Sequence, residues 1–414
     1  MNNSRYGRWT LAFMATLMIS TRLVSADAGT LLVDRPIMEA QREIERQLQA
    51  APEDQSLKFA LGVSQTLRAL ENLSARWYAM GLLENGFTEQ LPLLRLPVPP
   101  IDQPIEVDSA AIDAALEAFA RDLGVAIRTL SEVRDPNVKL VVPILRIQVD
   151  LNGEAPDGEM MLVELLARIG LFPSREEVSP EAIDAMTFAF DLGDVRWLEG
   201  YCHLTSAFAE MARAYDKTPL IEYCGHLMFQ RVKTPFAFLT ARNPDMEFIE
   251  GTNILDLVAM IHQFRLPLQN ADALAAARQH LLDVTRLSRA SWSAIRAETD
   301  NDREWIPGLG QTTPLMEVEI TPEIIDAWLA MMNDLESLLE GRKLAPFWRG
   351  DNVRMGVNFR RVFTEPREFD LILWIQGTAA APYLEEGELL DDTNFNRLQR
   401  LLNGNALLFA IWVN

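Results

Sequence analysis

Cysteine is almost absent from this chain of 414 residues, which contains only Cys202 and Cys224. Two cysteines exclude a scaffold held together by several disulfides. Histidine is also scarce, and the four histidines are scattered without the spacing of a zinc site: His203, His226, His262 and His280. The chain has no G-x-S-x-G elbow, P-loop or Rossmann glycine pattern, so it indicates none of the enzyme classes that use them.

Long apolar runs are missing, and the sequence predicts no transmembrane segment in the mature chain. A short apolar stretch, "WTLAFMATLMIS", follows Arg5 and Arg8 and precedes the small residues of "LVSADA". This order is typical of a secretory signal peptide. We therefore expect residues 1–28 to be a signal peptide, cleaved near Ala26 or Ala28, and the mature protein to be exported to the periplasm or the extracellular space. The alternative is an uncleaved membrane anchor.

Positive charge is in deficit, since 38 lysines and arginines stand against 59 aspartates and glutamates, a net charge of −21. A surface this acidic repels nucleic-acid backbones and anionic lipid. The composition excludes nucleic acid as an expected partner. It favours inorganic cations or basic partners. The expected partner is an unknown protein or a small molecule.

Helical periodicity dominates what the sequence does contain. Strands are predicted for "VKLVVPILRIQVD" and "MTFAFDLGD" in the middle of the chain, and for "VRMGVNFRRVF", "EFDLILWIQG" and "ALLFAIWV" near its end. The predicted fold class is α+β, predominantly helical, with a few strands in the middle and at the C-terminus. We expect a helical N-terminal region with a strand–loop–helix at 29–180, and a helix-rich C-terminal region ending in strands at 181–414.

The stretch "DLNGEAPDGEMMLVE" resembles a calcium loop with an insertion. If "EAP" bulges out, oxygen ligands fall at the positions that a calcium loop requires. The predicted metal ligands are Asp150, Asn152, Asp157, Glu159 and Glu164. The alternative is a polar turn followed by an amphipathic helix.

Candidate catalytic residues come from two places. Glu199 and His203 are one turn apart on the polar stripe of a predicted helix that begins at Asp191 or Asp194, and Asp300 and Asp302 lie in the acidic turn "ETDNDREW". The alternative for the stripe is a solvated helix face. The alternatives for the acidic turn are a divalent-cation site and an ion-pair network with the arginine-rich segment 342–367.

The two cysteines allow two interpretations. In an oxidising compartment Cys202 and Cys224 could form one disulfide, and otherwise they are buried thiols that behave as small apolar residues.

Three further stretches, "LEGYCHL", "ETDNDREWIPG" and "LILWIQGTAAAPYLEEG", resemble an uncharacterised family of exported bacterial proteins along most of the mature chain. The resemblance implies export and a single recurrent architecture. It implies no activity and no catalytic residue.

Two hypotheses for the function follow. The preferred one is a non-catalytic exported protein that binds a partner or ligand, with calcium as its candidate cofactor. The alternative is a metal-dependent hydrolase that uses Glu199, His203, Asp300 and Asp302.

Overall fold

Helices form most of the protein, which confirms the predicted fold class of a predominantly helical α+β protein. The structure, a computed structural model, describes residues 27–154, 159–168, 179, 181, 184, 186–239, 251–313, 319–349, 354–406 and 409–410. Within these ranges, no helix combines the length and the apolar composition needed to span a bilayer.

The helices are numbered along the chain. They are α1 (Ile37–Ala50), α2 (Gln55–Ala79), α3 (Ser109–Ser131), α4 (Leu162–Arg168), α5 (Leu192–Arg213), α6 (Thr218–Cys224), α7 (Gly251–Gln263), α8 (Ala271–Ala297), α9 (Pro322–Glu340), α10 (Phe359–Thr364), α11 (Leu371–Gln376) and α12 (Thr393–Leu401).

The strands are short and antiparallel. They are β1 (Leu140–Pro143), β2 (Gln148–Asp150), β3 (Glu159–Met161), β4 (Thr187–Phe190), β5 (Arg265–Leu266), β6 (Ala345–Pro346), β7 (Met355–Val357), β8 (Phe369–Asp370) and β9 (Leu384–Glu386). β1 pairs with β4, β2 with β3, and β5 with β8, while β7 lies between β6 and β9.

Five of the long helices begin at a residue whose side chain accepts a backbone N–H of the first turn. These residues are Asp54, Asp108, Asp191, Asn270 and Thr321. Such caps satisfy donors that the helix itself leaves unpaired. The caps therefore fix where the helices start, and of the two predicted starts of α5, Asp191 and Asp194, the structure shows Asp191.

The long helices pack in a chain of neighbours around α5. One side of α5 packs on α3, which packs on α2 and then α1, and another side packs along α8, which carries α9 and then α12. Side chains from α2, α3, α5 and the strands β1, β2 and β4 share one hydrophobic core. A second core lies between α8, α9 and α12 around Trp292 and Trp328. Packing therefore crosses residue 180, where the sequence suggested a boundary between regions.

The strands predicted in the middle of the chain are confirmed as β1, β2 and β4. Two of the C-terminal strand predictions are wrong over most of their length. In "EFDLILWIQG" only β8 is a strand; Asp370 then caps α11 by accepting the N–H of Leu373 at 2.9 Å, and Gly377 ends the helix at a φ of 105°. In "VRMGVNFRRVF" only β7 is a strand, and Asn358 caps α10. The stretch "ALLFAIWV" lies mostly outside the described residues.

The first described residues belong to the packed structure. Asp27 caps a short 3-10 helix at Ala28–Leu32, in which Ala28, Leu31 and Leu32 are buried. This 3-10 helix contacts β1 so closely that a Cβ on Gly29 would lie 1.9 Å from the carbonyl oxygen of Val141. No side chain fits at Gly29 without a shift of the β1 backbone.

We predict that Gly29→Ala lowers the free energy of unfolding by about 2 kcal/mol or more, because an added methyl group forces packed backbone apart. Urea denaturation measures this. Gly86→Ala is the matched control, since a Cβ there meets nothing within 4 Å. Equal stability of the two variants would contradict the close packing of the N-terminal segment on β1.

Candidate functional site

An apolar cavity of about 320 Å³ lies between α3, α5, α6 and the segment that joins α2 to α3. α5 contributes Phe208, Met211 and Ala212 to its wall, and α3 contributes Ile112 and Leu116. Ligand sites in proteins are typically clefts of this size or larger with mostly apolar walls. The apolar cavity is therefore the first candidate for a binding site.

The segment that joins α2 to α3 contains a proline-rich connector, residues 91–104, and this connector forms one wall of the apolar cavity. Leu91, Pro92, Leu93 and Leu94 line it, and the indole N–H of Trp77 donates to the carbonyl oxygen of Leu93 at 2.8 Å. Proline fixes the backbone of such a segment without secondary structure and leaves fewer N–H groups to satisfy. The backbone of the connector is therefore held in a fixed position at the edge of the cavity.

One charged residue, Lys217, borders the apolar cavity. Its Nζ lies 2.6 Å from a carboxylate oxygen of Asp113 and donates to the carbonyl oxygens of Ala212 and Tyr215 at 2.8 and 3.0 Å. All three protons of the ammonium group are thereby used. A ligand would therefore be held by apolar contact, and neutral apolar groups fit the cavity best.

A second candidate site lies at the start of α5. Asp191, Glu298 and Glu304 each place a carboxylate oxygen so that all three lie within 4.8 Å of one another, and we call these residues the carboxylate cluster. A capping box fixes Asp191, since its side chain accepts from the N–H of Asp194 and the carboxylate of Asp194 accepts from the N–H of Asp191 at 3.0 Å. These three carboxylates form a group of described residues that could hold a metal ion.

Two carboxylates of the carboxylate cluster have raised pKa values. Burial, the hydrogen bond to Asp191 and its charge raise the pKa of Glu298 to about 7, and burial and the charge of Glu298 raise the pKa of Glu304 to about 7. Burial and the neighbouring Asp191 also raise the pKa of Asp194. Carboxylic acids with such pKa values can donate and accept protons near neutral pH.

A cavity of about 710 Å³ adjoins the carboxylate cluster and is lined in part by Lys139, Arg196 and Asp300. The ammonium group of Lys139 lies 3.2 Å from Glu298, 2.9 Å from Asp300 and 4.0 Å from Asp302. The hydrogen bond from Lys139 lowers the pKa of Asp300. Lys139 is therefore the ion-pair partner of the acidic turn. The alternative of ion pairs with the arginine-rich segment 342–367 is wrong for Glu298, Asp300 and Asp302.

The polar stripe of α5 is buried, and its interpretation as a solvated face is wrong. Glu199 and His203 are only 4 % and 8 % exposed, because α8 packs along them. Glu199 pairs with Arg196 at 2.8 Å, and Nδ1 of His203 lies 2.7 Å from Nδ1 of His280. Burial and the neighbouring His280 lower the pKa of His203 to about 4. We call Glu199, His203, His280 and Asp283 the polar seam.

The structure does not bring the four candidate catalytic residues together. His203 follows Asp191 by twelve positions on one helix, a rise of ~18 Å, and Asp191 is the residue that adjoins the acidic turn. Asp300 and Asp302 therefore lie near the carboxylate cluster, while Glu199 and His203 belong to the polar seam.

The predicted calcium loop is a β-hairpin where it is described. Asp150 lies opposite Glu159 in the β2–β3 pair, and its side chain accepts the N–H groups of Asn152 and Gly153 at 3.2 and 2.8 Å. Glu164 lies in the first turn of α4. Asp157 lies outside the described residues, so calcium binding by this loop stays a prediction.

The cysteines are not paired. Cys202 and Cys224 are both buried free thiols, and the predicted disulfide is absent. Cys202 faces α2, where its sulfur lies 3.4 Å from Oγ1 of Thr66, and Cys224 packs in a separate apolar cluster with Met260 of α7. Burial raises the pKa of the two thiols to about 12 and about 11, respectively.

Sequence reasoning missed Glu298 and Glu304 as partners of Asp191, and it missed the apolar cavity. The sequence shows the acidic turn as a cluster of carboxylates. Asp191, at the junction of β4 and α5 that faces this turn, is distant from it in the sequence. The one available signal for the cavity was "LPLLRLPVPP", since leucines between prolines need an apolar surface to pack against.

We predict that the carboxylate cluster destabilises the fold as the pH rises. The pKa of Glu304 is about 7 in the folded state and near 4.5 when unfolded, so the folded state holds the proton more tightly and loses stability between about pH 4.5 and pH 7. Glu304→Gln keeps the acceptor for the N–H of Asp302 but cannot ionise. The difference in unfolding free energy between this variant and wild type should therefore change by roughly 1–3 kcal/mol, in favour of the variant, from pH 5 to pH 8.

Urea denaturation at the two pH values measures the difference. Glu84→Gln, at an exposed position, is the control and should show no such gain. Parallel pH dependence of wild type and Glu304→Gln would contradict the raised pKa of Glu304.

Comparison with known proteins returns nothing for this chain: no family model matches it, and neither does any curated protein or solved structure. Its function is therefore inferred from the geometry of the two candidate sites.

Proposed function

We propose that this chain is an exported, non-catalytic protein that binds an apolar small molecule in the apolar cavity. The observation that carries the proposal is a cavity of about 320 Å³ whose bordering charge, Lys217, is already neutralised by Asp113. An apolar ligand that buries about 200 Å² gains roughly 5 kcal/mol from desolvation before the cost of association, which suits a modest affinity.

The separation of His203 from the acidic turn weighs against the hydrolase alternative. A hydrolase needs its acid–base groups within reach of one reacting bond. The histidines in the polar seam are instead satisfied by each other and shielded by the packing of α5 on α8.

Export is the second part of the proposal. It rests on the charged and apolar start of the sequence and on the small residues before Asp27. The packing of the first described residues favours one of the two cleavage positions. Cleavage after Ala28 would remove the Asp27 cap and the buried Ala28, whereas cleavage after Ala26 keeps both.

We predict that the processed protein begins at Asp27. Intact-mass measurement and N-terminal sequencing of protein recovered from a host's exported fraction test this. A mature protein that starts at Gly29 would contradict the role of the Asp27 cap, and protein that stays in the cytosol and starts at Met1 would contradict export.

We predict that the neutral fluorophore N-phenyl-1-naphthylamine binds in the apolar cavity and becomes more fluorescent there. Ala212→Leu places an isobutyl group into the cavity and should weaken binding about tenfold, a loss of about 1.4 kcal/mol. Ala275→Leu, the same change at an exposed position of α8, is the control.

Fluorescence titration of the three proteins measures the affinities, with melting temperatures as a check on folding. Equal affinity of Ala212→Leu and wild type would place the fluorophore elsewhere and contradict the proposal.

A further inference from the structure

α7 is apolar on two opposite faces. Its inner face packs Met260 in a cluster with Leu220 and Cys224, and the residues that follow it, Phe264 and Leu266, line the apolar cavity. Its outer face leaves Leu255, Val258 and Ile261 exposed, with Leu255 at 67 %. An apolar face of a helix is normally covered by packing.

α11 extends this outer surface. It contacts α7, and the N–H of Leu371 donates to the carbonyl oxygen of Phe264 at 2.9 Å. Ile372 and Ile375 are exposed, Ile375 at 67 %, and the indole N–H of Trp348 donates to the carbonyl oxygen of Ile375 at 3.0 Å. We call these six exposed residues the α7–α11 face: Leu255, Val258, Ile261, Trp348, Ile372 and Ile375.

Two arginines lie at the rim of the α7–α11 face. Arg349 follows Trp348 directly, and its side chain lies beside Gly377 at the end of α11. Arg367 precedes β8 and α11. Both arginines are exposed, and neither forms a salt bridge with any residue that the structure describes. Three acidic groups lie near the face, and each has a basic neighbour: Asp256 lies 3.3 Å from His226, and Glu368 and Asp370 lie 3.3 and 4.0 Å from the same side chain, Arg265.

We propose that the α7–α11 face docks on a lipid bilayer, with its apolar side chains at the level of the acyl chains and Arg349 and Arg367 at the headgroup phosphates. Exposed aliphatic side chains beside a tryptophan, with arginines at the rim, are the composition of helices that lie in a membrane interface. Attraction between the arginines and anionic headgroups acts within about 8 Å at physiological salt, so acidic residues farther from the arginines than this do not cancel it.

In the docked orientation, α7 and β5 would lie between the bilayer and the apolar cavity. The cavity would therefore be one layer of structure away from the membrane. The ligand class that follows is the acyl chain of a membrane lipid. This step rests on the proposed function, whereas docking itself does not.

Vesicle flotation tests the docking. Purified protein of verified N-terminus is mixed with vesicles of phosphatidylcholine, or of equal parts phosphatidylcholine and phosphatidylglycerol. The double variant Leu255→Glu/Ile375→Glu should bind both kinds of vesicle roughly tenfold more weakly than wild type. Ile105→Glu, which changes an exposed isoleucine outside the face, should bind like wild type.

The double variant Arg349→Gln/Arg367→Gln separates the charge from the apolar contact. Its affinity for the vesicles that contain phosphatidylglycerol should fall about fivefold per arginine, and its affinity for pure phosphatidylcholine should fall less. A similar loss for Ile105→Glu, or unchanged binding of both double variants, would overturn the proposal. So would light scattering that shows a wild-type dimer and a Leu255→Glu/Ile375→Glu monomer, because the face would then join two copies of the chain.

Binding of N-phenyl-1-naphthylamine distinguishes the two proposals. Leu255→Glu/Ile375→Glu should retain wild-type affinity for the fluorophore while losing vesicle binding. Vesicle binding without fluorophore binding in wild type would overturn the cavity as a ligand site and leave the docking face supported.

Discussion

The packing of α5 along α8 is the interaction on which the rest of the structure depends. The polar seam fixes its register, because His203 on α5 and His280 on α8 must stay within hydrogen-bond distance once His203 is buried. A shift by one turn would separate the two histidines and leave His203 buried without this partner. The capping box at Asp191 sets where the helix begins, so α5 has a fixed start and a fixed partner.

The rigid α5 carries both candidate sites at opposite ends. Asp191 contributes to the carboxylate cluster at its N-terminus, and Ala212, ~30 Å further along the axis, contributes to the apolar cavity near its C-terminus. The two ends differ in chemistry because they meet different partners. The N-terminal end faces the acidic turn and Lys139, whereas the C-terminal end faces α3, α6 and the proline-rich connector. The apolar end is the one whose geometry fits a ligand without further residues.

The sequence predicted the fold class, the strands in the middle of the chain and the cap of α5, because these features depend on neighbours in the sequence. It failed where the outcome depended on distant partners. The sequence of α5 alone predicts that the stripe with Glu199 and His203 is solvated. The stripe is buried because α8, which is remote in the sequence, packs on it and places His280 beside His203. The apolar run before Trp374 has the composition of a strand, yet the Asp370 cap and Gly377 enclose a short helix. The walls of the apolar cavity come from separate segments, so the leucines of "LPLLRLPVPP" indicate an apolar contact but do not identify a cavity.

Native mass spectrometry of the wild-type chain, after incubation with a mixture of fatty acids and phospholipids, tests the central claim most directly. The account predicts that a major population gains the mass of one apolar ligand, and that gentle activation releases this ligand as a neutral or singly charged lipid. Detection of the bare polypeptide alone, from protein whose folding is verified under the same conditions, would contradict the claim that the apolar cavity is a ligand site.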